Sequence, residues 1–219
     1  MDQKKLLQQI EEELIQGSRK AMLAHCTEAL AEGITARTIL ENALIPGMRQ
    51  VSEKFHSAAG TVPEIMLSSR AMNEAVEMLR PYILQERGNV QGRICIGTVA
   101  GDLHDIGKNL VAMILESEGF EVIDLGVDVT PEQYLKTALE EKCDIICCSA
   151  LLTTTMPVMA EVVRSVREAG VHDHIKVMIG GAPVSDAFAH AIEADGYSVD
   201  AVSAGATARK LLAEIHRNE

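Results

Sequence analysis

The stretch AGDLHDIGKNLV, from Ala100 to Val111, crowds two carboxylates, an imidazole and a Gly-Lys-Asn step into a few residues. Three chemistries use such groups. A phosphate loop needs Gly-x-x-x-x-Gly-Lys followed by a hydroxyl for magnesium. Here the interval from Gly101 to Gly107 is one residue too long, and Asn109 stands where the hydroxyl belongs. A hydrolytic triad would join Asp102 and His104 to Ser149. That serine would need a strained turn, usually Gly-x-Ser-x-Gly, and CCSALL has no glycine on either side. The third chemistry is a metal held by one imidazole. A lone histidine rarely retains a transition metal, so a preformed macrocycle would have to bring the remaining ligands. A carboxylate on the second ring nitrogen would fix the tautomer and raise the basicity of the first. Asp102 lies two residues from His104, and Ser149 would complete a His-Asp-Ser relay. A plainer reading, a helix N-terminus capped by polar side chains, fits each of these residues taken singly.

Two kinds of element must position them. Residues 1–86 carry helical periodicity only. Leu6, Leu7, Ile10 and Leu14 line a first helix, and Met22, Cys26, Ala29 and Leu30 a second that Gly33 stops. A third begins near Thr35 and runs through Ile39, Leu44 and Met48 to Phe55, with Pro46 expected to kink it. Pro63 opens a fourth, on which Ile65, Ser69, Met72, Val76, Leu79 and Ile83 share a face. Four amphipathic helices with short connections predict a bundle. The polar, glycine-bearing QERGNVQG, Gln85 to Gly92, reads as a linker whose core is residues 87–92.

Beyond it, residues 93–219 alternate between short apolar runs and helical stretches. The runs are Arg93–Val99, Glu121–Val127, Asp144–Ala150, Lys176–Gly181 and Val199–Ala204. Strands apolar on both faces, each followed by a helix, predict a doubly wound α/β domain with a five-stranded parallel sheet. The flavodoxin-like strand order 2-1-3-4-5 puts a ligand at the carboxyl ends of the first and third strands. The first strand ends into AGDLHDIGKN and the third into SALLTTT. The topology therefore gathers His104, Asp102 and Ser149 at the switch point, which favours the metal reading over simple capping. Spacing alone names no macrocycle.

Composition narrows the partners. The formal net charge is −12, which disfavours nucleic acid and anionic membrane surfaces. Aromatics make up 3% with no Trp, so a flat ligand must rest on aliphatic side chains and backbone. No segment resembles a signal peptide or membrane span, and the five cysteines lack a disulfide framework; the cytoplasm is expected. Cys143, Cys147 and Cys148 read as buried strand residues and not as zinc ligands.

The motifs GDLHDIGKN, SALLTTT and IGGAPV resemble the D-x-H-x-x-G, S-x-L and G-G signature of cobalamin-binding domains. GMRQVSEKF, PEIMLSSRAM and DLGVDV are similar to landmarks of the helical cap and cobalamin-binding modules of methionine synthase and of small corrinoid proteins in methyltransferase systems. The resemblance covers nearly the whole chain. It implies that His104 is the lower axial cobalt ligand in place of the cofactor's own benzimidazole. Asp102 and Ser149 would be its hydrogen-bonding partners, with Gly101, Leu103, Asp105, Gly107 and Leu151 also at the cofactor. The displaced nucleotide tail would run beside Gly180 and Gly181, in a channel shared with Thr153, Ala204 and Gly205.

The resemblance further implies a methyl carrier and not a complete enzyme, holding methylcobalamin when loaded. One substrate-specific methyltransferase would load it; a second would unload it onto a thiol or pterin; a reductive activator is a further implied partner. The cap would cover the upper cobalt face and swing aside on the linker. Two positions depart from the family pattern: Thr61-Val62 stands where an aromatic and a leucine usually precede Pro63, and Ser52 replaces a common glycine. The upper-face contact would then fall to Phe55 or Met66, unless these and Met48 are bundle core. The alternative within the same modules is a cobalamin-dependent sensor or regulator, which normally adds a basic DNA-binding segment.

Overall fold

The structure is a computed structural model that describes residues 3–56, 61–84 and 91–218. The chain divides into two units, Met1–Glu86 and Arg87–Glu219.

In the first unit, α1 (Gln3–Ile15) buries Leu6, Ile10 and Leu14, one residue per turn, and α2 (Arg19–Ala31) buries Met22, Cys26 and Ala29. The Thr35 hydroxyl accepts from the Thr38 amide and starts α3 (Ala36–Ile39). This helix runs without a break through a π-helical segment, Leu40–Leu44, into α4 (Ile45–His56). The kink expected at Pro46 therefore takes the form of a widened turn just ahead of it. Proline offers no amide hydrogen and its ring crowds the carbonyl four residues back, and a π turn relieves both. Thr61 precedes α5 (Val62–Leu84), and its amide and hydroxyl both donate to the Glu64 carboxylate, at 2.7 and 2.8 Å. The core face of α5 is Ser68, Ala71, Met72, Ala75, Val76, Leu79 and Ile83, so Ser68 takes the place expected of Ser69.

The second unit is a five-stranded, all-parallel sheet in the order β2-β1-β3-β4-β5, as the doubly wound reading requires. Its strands are β1 (Arg93–Thr98), β2 (Glu121–Asp124), β3 (Ile145–Ser149), β4 (Lys176–Gly180) and β5 (Gly196–Ser198). The connecting helices are α6 (Ile106–Ser117), α7 (Pro131–Glu140), α8 (Met156–Glu168) and α9 (Asp186–Ala191), with α10 (Ala201–Asn218) after β5. Alternation along the strands sends side chains to two cores. Cys95, Ile146, Cys148 and Ala150 pack with α7, α8 and α9, whereas Ile94, Ile96, Cys147 and Met178 pack with α6 and α10.

The last strand and the last helix both lie earlier in the chain than the sequence pattern places them. The fifth strand is not Val199–Ala204 but the earlier Gly196–Ser198, and the last helix starts at Ala201, not Thr207. The cause is a helix start hidden in an apolar run. Asp200 accepts from the Ser203 amide at 2.8 Å, the Ser203 hydroxyl accepts from the Asp200 amide at 3.3 Å, and Ala204, Ala208 and Leu211 follow at helical spacing into the core. The proposed linker falls partly on residues 85–90, which lie outside the described residues. Gln91 and Gly92 are tied to the sheet unit through Gly119 and Glu121 at 3.0 and 2.9 Å.

All five cysteines are free and buried. Burial, with help from Glu13, pushes the Cys26 thiol up to about 12, and burial likewise raises those of Cys147 and Cys148. Cys147 and Cys148 are buried strand residues as expected, whereas Cys143, also buried, lies ahead of β3 and not on it. Among the described residues no helix is long and apolar enough to cross a membrane.

Candidate functional site

Adjacent strands β1 and β3 end in register, Thr98 beside Ser149, and the loop leaving β1 carries Asp102, His104 and Asp105. Four ties hold this loop. The buried Thr98 hydroxyl donates to the His104 carbonyl at 2.7 Å, and the Asp102 amide donates to the Val99 carbonyl at 3.1 Å. Asp128, after β2, accepts from the Gly101 amide at 2.7 Å and donates its own amide to the Asp102 carbonyl at 3.1 Å. Gly101 has a φ of +82°, a backbone conformation in which other residues would be strained.

The result is a fixed imidazole. His104 Nδ1 lies 2.6 Å from Asp102 Oδ1, which also accepts the His104 amide at 3.1 Å. Asp102 is 0% exposed, yet it is well supplied with donors: its Oδ2 accepts from the amides of Leu151 (2.8 Å) and Leu152 (3.1 Å) and from the Thr155 hydroxyl (3.1 Å). Burial alone would raise its pKa. The hydrogen bonds from the His104 ring and from the Leu151, His104 and Leu152 amides outweigh burial and bring it down to about 2. An ionised carboxylate only accepts, so Nδ1 must carry a proton, and the neutral ring then keeps its lone pair on Nε2. The His104 side chain is 52% exposed.

These features fit a metal-bearing macrocycle. One imidazole nitrogen is locked and the other is available. Large apolar side chains stand uncovered nearby: Leu103 is 71% exposed, and Leu151 and Leu152 are also exposed. Gly107, in the first turn of α6, is exposed, and a Cβ there would meet nothing within 4 Å. The fold itself therefore gives no reason for glycine at this position, whereas close approach by a flat ligand would. Asp105 is the residue preceding α6 and makes no side-chain capping bond. Lys108, beside it, is buried and pairs with Asp124 at 2.5 Å, fixing the start of α6 to the end of β2.

The other expected site residues divide. Asp102 and His104 are joined, and Leu151 meets Asp102 through its amide. Ser149 makes no hydrogen bond with Asp102 or His104, and the hydroxyl on Asp102 belongs to Thr155. Strand alternation accounts for this: Cys148 and Ala150 face α8, so Ser149 shares the opposite face with Cys147. Thr153 is exposed in the loop after β3. Gly180 and Gly181 have reasons inside the fold. A Cβ on Gly180 would come within 3.2 Å of the Ser198 carbonyl, and one on Gly181, at φ +132°, would collide with the Ala150 carbonyl at 1.9 Å. Ala204 is buried core, and a Cβ on Gly205, on α10, would meet the side chain of Glu118, at the end of α6, at 2.9 Å. Of the two upper-face candidates on the helical unit, Met66 is exposed and the Phe55 side chain lies outside the described residues; Met48, named as bundle core, is partly buried.

Sequence reasoning passed over Thr155, Asp128 and Thr98. Thr155 had a visible signal, since it precedes the Met156-Pro157 start of a helix. The partners it touches could be found only from the packed loop.

Comparison with known proteins is decisive for the family. Residues 92–213 match the family model described as a B12 binding domain, and residues 6–80 match a second model with the same description. The chain belongs to the B12-binding corrinoid proteins. It is 38% identical over 214 residues to dimethylamine corrinoid protein 1 of Methanosarcina acetivorans, covering 97% of this chain and 100% of the relative. Among solved structures, the monomethylamine corrinoid protein of Methanosarcina barkeri superposes with a TM-score of 0.88 at 33% identity, covering 94% of this chain and 98% of that one. A chain of the methanol:cobalamin methyltransferase complex from Methanosarcina barkeri gives a TM-score of 0.54 at 29% identity, covering 95% and 80%. Cobalamin is the cofactor of this chain.

Proposed function

We propose that the chain is the methyl-carrying component of a methylamine-type methyltransferase system, with His104 Nε2 as the lower axial ligand of cobalt. The observation that carries this is the buried, ionised Asp102 fixing Nδ1 of a half-exposed imidazole at a topological switch point. When bound, cobalamin supplies the chemistry, because its cobalt accepts a methyl group and gives it up again. The chain's residues orient and shield. Asp102 holds the imidazole plane and its tautomer, Leu103, Leu151 and Leu152 exclude water from the corrin face, and Gly107 leaves room for close approach. The nucleotide tail would pass by Thr153 and the Gly180-Gly181 step, with Ser149 on the adjoining wall.

The reading includes two partner methyltransferases, one loading from a methylamine and one unloading onto a thiol or pterin, together with a reductive activator. The names of the relatives support the methylamine class, and that of the methanol:cobalamin methyltransferase complex supports direct pairing with a methyltransferase. Residues 1–86 would act as the cap over the upper cobalt face, 87–92 as its hinge, and 93–219 as the cofactor domain. The buried free thiols support a reducing, cytoplasmic setting.

The test is reconstitution with hydroxocobalamin and gel filtration, then reduction to cob(I)alamin with titanium(III) citrate and assay with candidate mono-, di- and trimethylamine or methanol methyltransferases. Retained colour and methylation with a methylamine enzyme are expected. Protein that emerges colourless, or that is methylated only by a methanol enzyme, would overturn the reading or its substrate class respectively.

A further inference from the structure

Asp128, in the loop after β2, holds a backbone conformation that most side chains resist. Its φ is +57°, in the left-handed region that aspartate and asparagine tolerate better than other residues with a Cβ. We infer that Asp128 is a positioning residue for the axial imidazole, acting on the backbone of Gly101 and Asp102. This rests on the proposed ligation by His104.

The contact is a two-point clamp. The Asp128 carboxylate accepts from the Gly101 amide at 2.7 Å, and the Asp128 amide donates to the Asp102 carbonyl at 3.1 Å. The clamp is anchored from behind. The amides of Leu125 and Val129 donate to the carbonyls of Ile96 and Thr98 at 2.8 and 2.9 Å, and the Thr98 amide donates to the Gly126 carbonyl at 3.0 Å. Val129 is buried and bridges to Val99. The segment 125–129 thus continues the pairing of β2 with β1 beyond both strands, and Asp128 is the member that reaches the histidine loop.

Other reasons for an aspartate here are taken by its neighbours. The start of α7 is capped by Thr130, whose hydroxyl accepts from the Gln133 amide while the Gln133 side chain accepts from the Thr130 amide. Among the described residues the exposed Asp128 side chain makes no ion pair, and its one hydrogen bond is to Gly101.

The consequence concerns where the Asp102 side chain starts. Its Cα lies between the two clamped groups, the Gly101 amide and the Asp102 carbonyl. Gly101, at φ +82°, has little resistance of its own to rotation, so an outside partner must supply it. With both groups held, the direction in which Asp102 leaves the backbone is fixed, and Oδ1 stays 2.6 Å from His104 Nδ1.

The experiment compares two variants of the full chain. Asp128→Asn keeps an acceptor and the tolerance for a left-handed turn; Asp128→Gly keeps the turn and removes the acceptor. In apoprotein labelled with 15N-histidine, at alkaline pH where imidazole is neutral, long-range proton–nitrogen spectra report the His104 tautomer. Wild type and Asp128→Asn should hold the proton on Nδ1. In Asp128→Gly the ratio of the other tautomer should rise about five-fold, the effect of one lost hydrogen bond. With cob(II)alamin bound, electron paramagnetic resonance should show the ratio of imidazole-bound to imidazole-free cobalt falling by about the same factor in Asp128→Gly alone. An Asp128→Gly protein that matches wild type in either measurement, or an Asp128→Asn protein that falls as far, would overturn the inference. Far-ultraviolet circular dichroism checks that each variant is folded, and Asp128→Ala, which also lacks the acceptor, carries the test if Asp128→Gly does not fold. If His104→Ala leaves the wild-type cobalt splitting intact, the ligation itself is wrong, while the tautomer ratios of the apoprotein still decide whether the clamp orients the ring.

Discussion

The sheet carries a histidine–aspartate pair at each end of its strands, and we propose only one of them, His104 with Asp102, as a cofactor site. At the carboxyl edge, His104 Nδ1 meets Asp102 at 2.6 Å; at the amino edge of β4, His172 Nε2 meets Asp195 at 2.7 Å. Asp195 also takes the Val177 amide at 2.8 Å, with Lys176 3.9 Å away. The distances barely differ, so the bond between the side chains is not what distinguishes them. The surroundings differ. Asp102 is sealed under the loop and filled by five donors, its histidine is half in the open, and uncovered leucines frame it. His172 is 28% exposed and closes the end of a strand. A histidine–aspartate pair becomes a ligand site when the second ring nitrogen is left facing a surface shaped for something else.

Substitutions that part the two pairs sharpen this contrast. The largest effect is expected for Asp102→Ala, which strips partners from the amides of His104, Leu151 and Leu152 and from the Thr155 hydroxyl. Urea unfolding should show a loss of about 4 kcal/mol, against about 2 kcal/mol for Asp195→Ala, whose carboxylate takes fewer bonds. Next comes His104→Ala, for which cobalamin affinity by spectral titration should fall by about 10–100-fold, whereas His172→Ala should leave it unaltered. Equal effects of the two histidine substitutions would erase the distinction.

Acid offers a third comparison. The Asp102 carboxyl is held at about 2, below its ordinary 3.8, so its stabilisation is fully present above the ordinary value. It is lost as pH falls from there through about 2, and amounts to about 2 kcal/mol. Wild-type stability should therefore slope downward with acid between those values, and Asp102→Asn should flatten that slope. The smallest effect on folding belongs to Gly107→Ala, which faces open space at a helix start and should raise stability by about 0.5 kcal/mol while weakening cobalamin binding. Unchanged binding would remove Gly107 from the corrin face.

The contrast also marks what sequence can carry. Alternating apolar runs and helical stretches were enough to give the strand order, and the order put the His104 loop at the switch point before any contact was known. The pairing of Asp102 with His104 was legible because it spans two residues. Thr155 was not, because it reaches Asp102 only through the packing of one loop on another. Ser149 misled because its place in the signature says nothing of which sheet face it occupies. The fifth strand was missed because Val199–Ala204 is as apolar as a strand, and its capping by Asp200 and Ser203 is a local polar signal inside that run. Gly180 and Gly181 were legible as glycines that something must crowd, but the crowding groups are Ser198 and Ala150 of the chain itself.

Isotope substitution tests the metal claim most directly. The protein is grown with 15N-histidine, loaded with cob(II)alamin, and its cobalt resonance is compared with that of unlabelled protein. The axial nitrogen splitting is expected to change from triplets to doublets on labelling, and His104→Ala to abolish the change. Triplets that persist in the labelled protein would mean that the cofactor's own benzimidazole still sits beneath the cobalt, and would contradict it.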